Sequence, residues 1–179
     1  MKRRAMPRLK RAKGEITVSL SEMSQEINLE DYLGREPTPE EKKRFADLAI
    51  DTIVNRTLDG QTINQGKFKP YSKAYADEKG VTQDSVDLFR EGDMLGSLRR
   101  NAQGESTKTV MIELDNSEVP KGYNHNEGDT VKKRPWFGLT DLEAKTIARR
   151  VKGQGRQRGT VRLSDLREQL AQLGVQQTE

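Results

Sequence analysis

Apolar residues are sparse along this chain, and where they recur they keep one of two periods. In "EITVSLSEM", Ile16, Val18 and Leu20 alternate with polar neighbours, which predicts a short half-buried strand. "TKTVMIELD" does the same with Val110, Ile112 and Leu114 and is the strongest strand signal in the sequence. The helical period dominates "TPEEKKRFADLAIDTIVNRTLDG": Phe45, Leu48, Ala49, Thr52, Ile53 and Arg56 fall on one face. Thr38 suits the N-cap there, Pro39 the first helical position and Glu41 the third, so a capping box starts this helix and Gly60 stops it. A second capping box, Thr140 to Glu143, opens a helix with Ala144, Ile147, Ala148 and Val151 inward and Arg149, Arg150 and Lys152 in its last turn, where cations suit the dipole.

Between these elements the pattern is broken by turn residues. "INLEDYLG" predicts a helical turn ending at Gly34, and a short helix follows Ser72. "VDLFREGDMLGSLRRNA" supplies Leu88, Phe89, Met94, Leu95 and Leu98 to a helical turn capped by Asp93 that leads into a strand. "NAQGES" reads as a hairpin connection, and a further short strand is expected near Tyr123. "GQGRQRG" is a flexible basic linker, and a final short helix from Ser164 carries Leu163, Leu166, Leu170 and Leu173 at spacings of three, four and three. That stripe is too short to stand alone and must dock on its own domain or on another subunit.

The order predicts an α+β fold: a small antiparallel sheet with helices packed on one face, a basic N-terminal arm and an appended C-terminal helix. The boundaries are 1–14 for the arm, 15–152 for the domain, 153–159 for the Gly/Arg linker and 160–179 for the C-terminal helix and tail. Phe45, Leu48, Ile53, Leu95, Leu98, Ile112, Trp136, Phe137 and Ile147 are the expected core anchors. In "RPWFG", Pro135 disfavours helix at Arg134, so Trp136 and Phe137 are expected to staple the Thr140 helix onto the sheet while Arg134 points away from the core to meet a partner.

Charge changes the picture of the surface. Apolar residues make up only 32% of the 179 and charged residues 34%, so the core should be thin. Residues 1–13 and 145–162 hold 14 of the 32 bases and none of the 28 acids, which leaves the remainder at a net of −10. An acidic body with two basic appendages suits phosphate or an acidic neighbour. The candidate contacts are Lys2, Arg3, Arg4, Arg8, Lys10, Arg11 and Lys13 on the arm, and Arg134, Arg149, Arg150, Arg156, Arg158 and the four C-terminal leucines.

Candidate chemistry is thin. Without cysteine there is no disulfide, thiolate zinc site or cysteine nucleophile. His125 is the only histidine and reads as a loop or sheet-edge hydrogen-bonder. Glu40 and Glu41 are expected on a solvent-facing helix start, where dipole and capping explain them, and Asp77, Glu78 and Asp129 show no convergent partner. "GQGRQRG" lacks the setting of a phosphate loop, and "LDNSE" lacks calcium-loop spacing. The reading is a non-enzyme with no cofactor and no metal. No apolar run is long enough to span a bilayer, and the basic N-terminus lacks the apolar region of a secretory signal, so no membrane is expected.

Five stretches in order carry a family resemblance: "FKPYSKAYADEKG" (68–80), "LFREGDMLGSLR" (88–99), "TVMIELDN" (109–116), "YNHNEG" (123–128) and "RPWFGLTDLEAKTIARR" (134–150). Together, over residues 38–151, they resemble the virion-morphogenesis, or tail-completion, proteins of long-tailed bacteriophages, the Mu-like type. The resemblance implies a structural protein of the phage neck, in a homo-oligomeric ring that is most often a hexamer, joining the DNA-filled head to the tail or completing the tail's upper end. It implies connector or adaptor proteins and tail-terminator or tail-tube proteins as partners, channel DNA as a further contact, assembly in the host cytoplasm and residence in the virion. The alternative from charge alone is a basic, sequence-nonspecific nucleic-acid-binding accessory protein.

Overall fold

The computed structural model describes residues 16–20, 22–88, 93–128 and 130–153. Two strands open the domain, β1 (Ile16–Ser19) and β2 (Ser24–Asn28), followed by the single turn α1 (Leu29–Leu33) and the long α2 (Pro39–Leu58). Then come α3 (Lys73–Lys79), the turn α4 (Asp93–Gly96), β3 (Arg99–Arg100), β4 (Thr109–Glu113), α5 (Val119–Glu127) and α6 (Asp141–Lys152). The four strands form one antiparallel sheet in the order β1-β2-β4-β3. The fold is α+β, with α1 and α2 packed against the sheet and α6 packed against both of these helices.

Period-two burial explains the sheet. Ile16, Ile27 and Val110 are in register, as are Gln25 and Ile112, and this row faces the helices. Glu26, Met111 and Glu113 alternate with them and remain half-exposed, as expected when one face of an antiparallel sheet meets solvent. On the helix side, Phe45, Ala46, Ala49 and Ile53 of α2 and Ala144, Ile147, Ala148 and Val151 of α6 are buried. Leu95, Leu98, Ile112, Trp136 and Phe137 join them, and Leu48 packs partly buried at the edge.

Both capping boxes form. Thr38 Oγ1 accepts from Glu41 N at 3.2 Å while Glu41 Oε2 accepts from Thr38 N at 3.0 Å, and Thr140 and Glu143 repeat the exchange. Glu41 is not solvent-facing: it is buried beside Arg35, whose guanidinium, together with the Thr38 N–H, holds its carboxyl down to about 2. Gly34 ends α1 at φ 75°, and the 101–108 connection makes the β3–β4 pair a hairpin.

Two elements differ from the sequence reading. β2 was not expected, because "SQEIN" is polar; its buried Gln25 is satisfied by backbone far along the chain. The strand expected near Tyr123 is the helix α5. Pro120 stands in its first turn, and Gly122 faces Leu114, Met23 and Trp136, where any Cβ would crowd them. His125 therefore lies on a helix rather than a loop or sheet edge.

Candidate functional site

Four segments meet at the corner where α2 ends and α6 begins. Trp136 is fully buried, its indole Nε1 donates to Gly122 O at 3.2 Å, and its ring meets Phe137 edge-on at 5.7 Å. Asn126 Oδ1 accepts from the N–H groups of both Trp136 and Phe137, at 3.1 and 3.3 Å. Gln25 treats Leu139 as a strand neighbour, donating to its carbonyl at 3.0 Å and accepting from its N–H at 2.8 Å. The loop thereby satisfies its backbone against two buried amides instead of a strand. Gly138, at φ 96°, lets the chain turn over Gln25 where a Cβ side chain would be strained.

Arg56 ties the corner together. On the last turn of α2, its guanidinium donates to Glu143 Oε1 at 2.6 Å, Trp136 O at 2.8 Å and Gly138 O at 2.7 Å. Glu143 uses its other oxygen to cap α6, so one buried ion pair joins two helices and the loop between α5 and α6. The sequence placed Arg56 on an apolar helix face without indicating its partner, since Glu143 lies 87 residues away.

Arg134 corrects an expectation. Its side chain turns inward and is only 4% exposed. Nε donates to Lys69 O at 2.9 Å, Nη2 to Pro70 O at 3.2 Å and Nη1 to Lys132 O at 3.3 Å, with the guanidinium 5.1 Å from the centre of the Tyr71 ring. Three backbone carbonyls outcompete solvent for this arginine, and Arg134 N also donates to His125 O at 2.7 Å. His125 is pushed down to about 4 by burial, and by the nearby charges of Arg134 and Lys121; its Nδ1 has no hydrogen-bond partner among the described residues.

Of the other expected contacts, Arg149 and Arg150 lie exposed on α6 with no partner among the described residues. Leu142, two-thirds exposed, lies on the same helix. Lys2, Arg3, Arg4, Arg8, Lys10, Arg11, Lys13, Arg156, Arg158, Leu163, Leu166, Leu170 and Leu173 lie outside the described residues, as do Phe89, Asp129 and the cap assigned to the Asp93 side chain. No cluster of His, Cys, Asp and Glu able to hold a metal occurs among the described residues, and no helix among them is long and apolar enough to cross a membrane. Gln25, Asn126, Glu143 and the two Nη groups of Arg56 are committed to backbone and to one another and lock these elements together, while Arg56 Nε is buried without a hydrogen-bond partner among the described residues. Compared with protein-family models, with curated proteins and with solved structures, the chain matches none.

Proposed function

We propose that this chain is a structural protein of a bacteriophage neck, acting as a ring subunit that joins the head to the tail or completes the tail's upper end. The observation that carries the reading is the convergence of the quoted motifs. "FKPY", "YNHNEG" and "RPWFG" lie up to 65 residues apart, yet Arg134, Asn126 and Trp136 bond them into one corner. Motifs that fit together as one packed unit describe a fold, so their shared order weighs more than any one of them.

The surface is compatible with this role. A ring subunit needs a modest core and a charged exterior, because complementary charge sets register between neighbours. The exposed Arg149 and Arg150, on the helix that leads into the second basic stretch, suit a contact outside the domain. They equally favour the second reading, a sequence-nonspecific nucleic-acid-binding accessory protein.

A nonsense allele in the phage that encodes this chain separates the two. The neck reading expects lysates with DNA-filled heads and separate tails that do not join, rescued by supplying the protein. Normal joining in the mutant lysate, with a defect confined to DNA metabolism, would select the accessory protein instead.

A further inference from the structure

The segments 60–76 and 130–140 carry six bases and no acid, whereas 16–59 carries five bases against ten acids. Folding places the two acid-free segments side by side: Arg134 donates to the carbonyls of Lys69 and Pro70, Lys132 Nζ donates to Pro70 O at 3.0 Å, and Ile63 N donates to Pro135 O at 2.8 Å. Phe68 is buried between Lys67 and Lys69, both exposed. Lys132 and Lys133 are exposed on the adjoining segment. Among the described residues, Glu127 is paired with Lys133 and Asp77 with Lys73.

The backbone adds to the side chains. The carbonyl oxygens of Lys69, Pro70 and Lys132 all point at the buried Arg134 guanidinium, which turns the negative ends of these peptide dipoles inward. The loop is also tied down by its own turn, with Thr62 N donating to Gly66 O at 2.7 Å and Gly66 N to Thr62 Oγ1 at 3.1 Å. Lysines on a fixed backbone form a preorganised cationic face.

We propose that the face formed by Lys67, Lys69 and Lys132 binds the phosphate backbone of nucleic acid without regard to sequence. Lysine favours this partner over an acidic protein. Its ammonium is strongly hydrated, and the cores of protein interfaces are depleted in it, whereas phosphate contacts stay wet and work through point charge. The face stands on loop geometry alone and holds whether or not the chain belongs to a neck.

The test uses the full chain and a labelled duplex of arbitrary sequence, with affinity measured across a salt series. The triple variant Lys67→Gln/Lys69→Gln/Lys132→Gln should lower the slope of log K against log salt by about 2.7, at an unchanged melting temperature. The Lys→Arg triple variant, which keeps the charge, should retain the slope. A wild-type slope in the Gln variant would overturn the assignment. So would an unchanged DNA slope accompanied by lost binding to polyglutamate, which would make the face a dock for acidic protein.

Discussion

Trp136 shows how much one side chain can hold at this corner. Its ring is fully buried and its N–H is bonded to α5, so truncation removes both apolar contact and the partner of Gly122 O. Trp136→Ala should cost about 3–5 kcal/mol, read as a lowered urea midpoint. A variant that unfolds like wild type would show that the corner closes without the indole. His125 makes stability depend on pH. Its folded value of about 4 lies below the ordinary 6.5, so the unfolded chain binds the extra proton between them. No penalty exists above pH 6.5; it grows as pH falls and is complete near pH 4, amounting to about 3 kcal/mol. In His125→Gln, unfolding measured across that window should lose this component of the slope. At this scale the sequence was legible where a rule concerned apolar burial, as for Trp136 and Phe137. It was silent where polar residues are buried against distant backbone. Gln25 meets Leu139 across 114 residues, and the proline rule that fixed the backbone at Arg134 said nothing of where its guanidinium goes.

Elements whose stabilising signals are local could be read directly. α2 and α6 each begin with a capping box written in four consecutive residues, and β4 alternates strictly, so their positions follow from the chain alone. β2 and α5 could not be read this way, because tertiary contacts decide them. β2 is defined by pairing with β1 and β4 on either side. α5 contains Gly122, a poor helix signal, and its start at Pro120 has no side-chain cap, but Gly122 is what lets the helix approach the sheet. A Cβ there would lie 2.5 Å from Leu114 Cδ2, 3.3 Å from Met23 Cε and 3.4 Å from Trp136 Cζ2. Alanine has the better helix propensity, by about 0.8–1.0 kcal/mol. Overpacking against the fully buried Leu114 costs about 1–3 kcal/mol, and packing should win. Gly122→Ala should therefore lower the thermal midpoint, and a raised midpoint would mean that α5 can shift outward at little cost.

At the scale of the whole molecule, a sheet with one solvated face and helices on the other carries an exterior divided by charge. The basic loops beside Arg134 and the exposed arginines of α6 contrast with an acid-rich 16–59 segment. A subunit of this kind has a core sufficient for its own fold and leaves its charged faces for neighbours, which is how the neck reading accounts for so polar a sequence. Symmetry-averaged electron cryo-microscopy of the particles that contain this chain tests that reading most directly. A neck subunit should give density for the four-stranded sheet and for α2 and α6 in a ring around the DNA channel between head and tail. Finding the same fold only in the capsid shell or the tail fibres would contradict it.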